Sequence, residues 1–297
     1  MAGASLLVST PSYGNDASAW RLLAVVLASL DDARRSGIRV QVELDLTHSP
    51  PPTFRVPDGL PVTQYLHDPK VKLGLAGMYR PRFWAASGAA RYDYYLMMDN
   101  DVNVTRDNLE VLCVHSNRLA GTNLMPGLLR FETLADDVGA PRFLQDMALR
   151  SPPHISSVVH VRGEAYVVPH NPMQASWFLP RARLACVLRK LEQHGGWGSD
   201  WQQFHHNGSL EFFESLWLMP WFVTVVPSNL RAAERHLVHH LTNKYTRRTD
   251  VTMAAPRVFF EAAANFSGRP ITVLGPRRRR PASKLRAGLG AGSRART

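Results

Sequence analysis

Apolar and polar positions along the first hundred residues follow two rhythms. Ser5–Ser9 is a short apolar run that predicts a strand, and Thr10–Asp16 is rich in turn formers. From Ala17 to Arg35 the apolar residues Trp20, Leu23, Val26, Leu27 and Leu30 fall on one stripe, the spacing of an amphipathic helix, and Gly37 closes it. Ile38, Val40, Val42, Leu44 and Leu46 then alternate with polar residues, which predicts a second strand. Strand, helix and strand at this spacing form a βαβ unit and so a parallel sheet. A proline-rich loop, Pro50–Pro61, precedes a short third strand at Val62–Leu66. Asp68–Arg91 reads as broadly helical, with Pro81 beginning or interrupting the helix. Tyr92–Met98 is an apolar, aromatic-rich run, the composition of a strand buried on both faces.

The pattern continues more weakly. A helix is predicted over Asn108–Leu119, and a turn at Pro126-Gly127 leads into a strand over Leu128–Phe131. Val158–Val161 and Ala165–Val168 flank Arg162-Gly163-Glu164 as a hairpin. Ala175–Leu179 predicts one more buried strand. Arg181–Gln193 is an amphipathic helix with Leu184, Val187, Leu188 and Leu191 inward. Phe222–Val226 is the last predicted strand. His236 and His240 are four residues apart, and on a helix they would share a face. The fold class is therefore α/β, a Rossmann-like, mostly parallel central sheet flanked by helices, with a smaller β/α region following it. One fold over residues 1–250 is expected, in halves of about 1–110 and 111–250, then an extension over 251–274 and a disordered tail over 275–297.

Composition changes this picture in one respect. The net charge of +11 suggests a polyanion-binding protein, but eight of those charges lie after Gly275, in Arg277–Arg280, Lys284, Arg286, Arg294 and Arg296. The fold itself carries only +3. A non-catalytic nucleic-acid-binding protein that uses this tail is one reading. The absence of a recognised RNA- or DNA-binding motif and of a basic face on the fold argues against it. Cys113 and Cys186 are the only cysteines, too few for a disulfide framework, and both are expected as buried thiols. No run of about 18 apolar residues occurs, so no membrane span is expected. Sequons stand at Asn103, Asn207 and Asn265.

Asp99 and Asp101 follow directly on the apolar run, one residue apart. In open α/β sheets ligands bind outside the carboxyl ends of the strands. Two carboxylates there can hold a hard divalent cation whose shell is completed by phosphate oxygens and water. The plain alternative is a solvated Asx-turn. Tyr94-Tyr95-Leu96-Met97-Met98-Asp99-Asn100-Asp101-Val102, followed by Thr105-Arg106-Asp107-Asn108-Leu109, resembles the D-x-D segment of GT-A glycosyltransferases. The likeness extends over about residues 4–245 and is specific only at the D-x-D. It implies a GT-A fold, a nucleotide-sugar donor such as a UDP- or GDP-sugar, Mn²⁺ or Mg²⁺ at the diphosphate, and a glycan, protein or small-molecule acceptor. A nucleotidyltransferase of similar sheet and metal is the alternative enzyme. The lack of an anchor suits a cytosolic enzyme as the chain stands, or a Golgi or ER one whose anchor lies outside it.

Further candidates take their places by this resemblance. Tyr13, after the first strand, can stack on a base, and Asp45, at the end of the second, can bind uracil or ribose. Arg80 and Arg82 can meet the diphosphate, since a guanidinium binds phosphate bidentately, and Lys244 can add charge there. His240 is expected as a further metal ligand beside Asp99 and Asp101. Arg130 and Glu132 fall on the acceptor side. Asn171–Phe178 is expected to line the donor sugar, and Gly195–Trp201 to form a lid. An inverting transfer needs a carboxylate to take the acceptor proton. Asp200, Glu211 and Glu214 are the candidates. Inversion and retention both stay open.

Overall fold

A computed structural model describes residues 1–71, 75, 78–133, 142–144, 155–169, 176–193, 221–242 and 261. Strand β1 (Ser5–Ser12) runs three residues beyond the expected Ser9, and helix α1 (Ala17–Arg35) follows. The Asp16 carboxylate caps α1 through the Ala19 N–H at 2.9 Å. Gly37 ends it at φ +97°, a conformation that favours glycine. Next come β2 (Arg39–Leu46), β3 (Val62–Leu66), α2 (Tyr79–Gly88) and β4 (Tyr94–Met98). Helix α2 is shorter than expected, and Pro81 lies in its first turn, where its missing N–H removes no helical bond.

Strands β1 to β4 are parallel, and β11 (Ser176–Pro180) adds to β4 antiparallel, giving the order β11-β4-β1-β2-β3. Both faces of this sheet are covered, and the central strands β1 and β4 are buried along nearly their whole length. Leu6, Val8, Leu96 and Met98 pack with Leu23, Leu27 and Leu30 of α1 and with Leu109 and Leu112. Leu7, Tyr95 and Met97 point the other way, onto Tyr79 and Phe83 of α2 and onto Leu184 and Val187 of α4 (Arg181–Gln193). The chain is thus α/β, with mostly parallel strands flanked by helices.

After β4 the chain makes β5 (Val102–Asn103) and α3 (Arg106–Arg118), which starts two residues before the expected Asn108. Then follow β6 (Leu124–Pro126), β7 (Leu129–Thr133), β8 (Arg142–Leu144), β9 (Ile155–Val161) and β10 (Glu164–Pro169). Arg162 and Gly163, both at positive φ, make the two-residue turn between β9 and β10. Strand β12 (Val223–Pro227), helix α5 (Leu230–Glu234) and β13 (Leu237–His240) complete the described chain. Two four-stranded sheets result, β6-β12-β10-β9 and β5-β13-β7-β8.

Two expectations are corrected here. Leu237–His240 is a strand, so His236 and His240 share no helical face. Cys186 is exposed, and both cysteines are free. Asn103 accepts a hydrogen bond from Ser29 Oγ at 2.6 Å, and Thr105 caps α3, so that sequon is engaged in the fold. Among the described residues no helix is long and apolar enough to cross a membrane.

Two contacts fasten α3 to the returning C-terminal strand. Asn108, 3% exposed, accepts from the Thr105 N–H and hydroxyl at 2.8 Å each. Its amide donates to the carbonyls of Arg235 and Leu237 at 2.7 and 3.0 Å. The second is the buried pair His115 and His236, whose rings meet edge to face at 5.0 Å. His236 Nδ1–H donates to the Gly127 carbonyl at 2.7 Å. Burial drives His115 down to about 4 and His236 to about 3.

Asn108→Ala removes the partner of a buried carbonyl, of a part-buried one and of the Thr105 N–H, and urea unfolding is expected to show a loss of about 2–4 kcal/mol. The two histidines predict acid sensitivity. Unfolded, each binds a proton near the ordinary 6.5; folded, it stays neutral until about 4 or about 3. Their contribution is therefore complete above pH 6.5 and is lost as pH falls toward those values. Each proton taken up only by the unfolded state costs about 1.4 kcal/mol per pH unit. Urea titrations at pH 7 and 5 should show the fall, and His115→Phe should show a smaller one.

Candidate functional site

The site begins where β4 leaves the parallel sheet. Met98 is the last strand residue, and Asp99 follows it, 9% exposed. The Val102 N–H donates to the Asp99 carbonyl at 3.3 Å and closes a turn over Asn100 and Asp101. Asn100 Nδ2 donates to Ser12 Oγ at 2.9 Å, which ties that turn to the end of β1. The two carboxylates of the D-x-D therefore share one turn at the C-terminal end of the parallel strands.

The chain returns to this turn from far downstream. Strand β13 pairs antiparallel with β5, His240 opposite Val102, and the Leu241 N–H donates to the Asp101 carbonyl at 2.8 Å. On its other edge β13 runs parallel to β7, with His239 opposite Phe131. This places His240 beside both Asp101 and Glu132. Its Nε2 lies 3.1 Å from Asp101 Oδ2, and its Nδ1 lies 2.5 Å from Glu132 Oε1. His240 is 2% exposed and Glu132 fully buried. Burial disfavours a charged ring, but the hydrogen bonds to Asp101 and Glu132 outweigh it and hold His240 above its ordinary pKa.

Asp101 and Glu132 face opposite nitrogens of one ring, so a single ion cannot touch both carboxylates and the imidazole. Among the described residues no group of three or more His, Cys, Asp or Glu side chains is placed to hold a metal by itself. The donors available on one side of the ring are the Asp101 carboxylate and His240 Nε2, with Asp99 in the same turn.

Asp45, near the end of β2, and Arg82, on α2, are bonded to each other. Asp45, 1% exposed, receives Arg82 Nη2 at 2.5 Å and pairs with His67 Nε2 at 2.7 Å. Arg82 Nε donates to Glu43 at 2.7 Å, and the guanidinium stacks over the Tyr65 ring at 4.1 Å. A base or ribose reaches the Asp45 carboxylate only by displacing one of these partners. Burial works against the charge of Arg82, and the neighbouring Asp45 and Glu43 overcome it and raise its pKa. Tyr13 is half-buried against the cluster around Tyr79 and Phe83, and Arg80 is half-buried in the first turn of α2.

Glu132 and Arg130, expected toward the acceptor, are 0% and 6% exposed, and Glu132 serves His240 instead. The alternation of the short strand Leu129–Thr133, apolar at Leu129 and Phe131, puts Glu132 on the polar face with Arg130, so nothing local shows its burial or names its partner. Asp200, Glu211, Glu214, Lys244, Asn171–Ala175, the Gly195–Trp201 loop and the arginine tail lie outside the described residues.

No protein-family model matches the chain, and no curated protein sequence matches it. Among solved structures, similarity is found to a glycosyltransferase involved in the glycosylation of the major capsid of PBCV-1. That match has a TM-score of 0.35 and 11% identity, over 82% of this chain and all of that one. Another is S. aureus TarS 1-349, with a TM-score of 0.32 and 17% identity, over 62% of this chain and 49% of that one. Likeness at this level assigns no reaction, and the functional reading rests on the site itself.

Proposed function

We propose that this chain is a metal-dependent glycosyltransferase that moves a sugar from a nucleotide-diphosphate donor to a hydroxyl acceptor. The observation that carries the reading is the approach of the buried His240 imidazole to Asp101, at the turn where a central parallel strand ends. That is where open α/β sheets bind ligands.

The donor set fits a divalent cation. One carboxylate and one imidazole lie on the same side, Asp99 stands in the same turn, and the ring's far nitrogen is held by a second carboxylate. Oxygen and imidazole donors suit Mn²⁺, and the carboxylates suit Mg²⁺ as well. Two or three protein ligands leave positions for phosphate oxygens and water, the usual way in which such ions join a nucleotide to a protein. When bound, the ion would offset the negative charge that develops on the departing diphosphate.

The chain's own residues set the rest. The Asn100–Ser12 bond and the β5–β13 pairing hold Asp101 and His240 against each other, so the ligands are ordered before the donor arrives. The Asp45–Arg82–Glu43 network buttresses the same end of the sheet beside Ser9 of β1. Tyr13 offers an aromatic face at the end of β1 for the base. Asp200, Glu211 and Glu214 stay the candidates for taking the acceptor proton in an inverting transfer.

Calorimetry of UDP and of GDP, with and without Mn²⁺, tests the reading. One nucleotide should bind wild type only with Mn²⁺, and Asp101→Asn should weaken that binding at least about tenfold. Equal binding with and without the ion, or none of either nucleotide, would count against the proposal.

A further inference from the structure

We propose that Glu132 is a positioning residue of this site: it holds Nδ1–H of His240, so that Nε2, the nitrogen beside Asp101, is the one left to give up its proton and bind the cation. The inference rests on the metal-dependent reading above and extends it to a residue on a different strand.

The geometry points to this role through three facts. Glu132 is fully buried, where a carboxylate is tolerated only with hydrogen-bonding partners. Its Oε1 lies 2.5 Å from Nδ1 of His240, at the end of the ring away from Asp101. The two residues are carried by neighbouring parallel strands, one step past the His239–Phe131 pair, so backbone pairing fixes their register.

The chemistry of imidazole supplies the rest. A ring that gives its Nε2 lone pair to a cation has only Nδ1 left to carry a proton. A carboxylate accepts and cannot donate, so Glu132 admits only the orientation in which Nδ1 bears the hydrogen. A ring flipped about its Cβ–Cγ bond would present Cδ2 to Glu132 and Cε1 to Asp101 and lose both contacts. Outer-sphere carboxylates of this kind fix the ring and raise its basicity, and losing one typically weakens metal binding about 10–100-fold. Burial on β7 keeps water from substituting for Glu132.

The test uses the full chain with Mn²⁺ alone as probe, and wild type, Glu132→Gln, Glu132→Leu, Asp101→Asn and His240→Gln as proteins. Calorimetry reads affinity, pulsed electron paramagnetic resonance reads coupling of Mn²⁺ to an imidazole nitrogen, and thermal melts confirm folding. The expected result is a graded loss. Glu132→Gln, whose amide oxygen still accepts, falls modestly, and Glu132→Leu falls about 10–100-fold and loses the nitrogen coupling. Should Glu132→Leu fail to fold, ¹⁵N-histidine spectra of wild type decide instead. Long-range ¹H–¹⁵N correlations must show the His240 proton on Nδ1, assigned by its absence in His240→Gln. A folded Glu132→Leu protein with wild-type affinity and coupling, or a His240 ring unprotonated at Nδ1, would overturn the proposal while the losses in Asp101→Asn and His240→Gln left the metal reading standing. Unchanged Mn²⁺ affinity in those two variants would remove the metal reading and this proposal together.

Discussion

An imidazole enclosed by two carboxylates is the interaction on which the site depends. His240 is buried, and so is Glu132, while Asp101 is partly open to solvent. Neither buried group is tolerable alone, because an isolated charge without a partner costs several kcal/mol. Each supports the other, and His240 also meets Asp101 and the Thr242 hydroxyl. The requirement reaches outward: β13 must lie between β5 and β7, so the chain must return to the D-x-D turn after building the β6-β12-β10-β9 sheet.

That return explains the contacts at the far end of β13. Asn108 reaches from the first turn of α3 to the carbonyls of Arg235 and Leu237, and His236 donates to the Gly127 carbonyl. Both clamp the backbone just before β13. A shift of this strand by one residue would turn His240 to the opposite face of the sheet and empty the space between Asp101 and Glu132. The packing of α3 and the orientation of His240 are in this sense one structural problem, and the site's geometry is set by residues that touch no ligand.

The parts of this arrangement that the sequence disclosed are those with a local period. Helices α1 and α4 have the bounds expected from their apolar stripes, because each hides one face against the sheet, and β2 alternates apolar and polar residues along its length. The D-x-D stood out because a carboxylate pair ends an apolar strand. The four-residue β13 did not: its His-x-x-x-His spacing imitates a helix, and four residues are too few for either period to show. Long-range pairing was the other blind spot. Asp45 and Arg82 are 37 positions apart, and His240 and Glu132 are 108 apart. Each charge, taken singly, looks available to a ligand, and only the fold shows that Asp45 and Arg82 neutralise each other and that Glu132 faces a histidine.

In the proposed function Asp101 and His240 together form one ligand pair for a divalent ion. Anomalous diffraction at the manganese edge, from crystals grown with Mn²⁺ and a nucleoside diphosphate, addresses it most directly. The expected result is an anomalous peak within bonding distance of an Asp101 carboxylate oxygen and His240 Nε2, with diphosphate oxygens completing the shell and Glu132 still bonded to Nδ1. Diphosphate bound with no peak between these two side chains, or manganese held elsewhere in the fold, would contradict it.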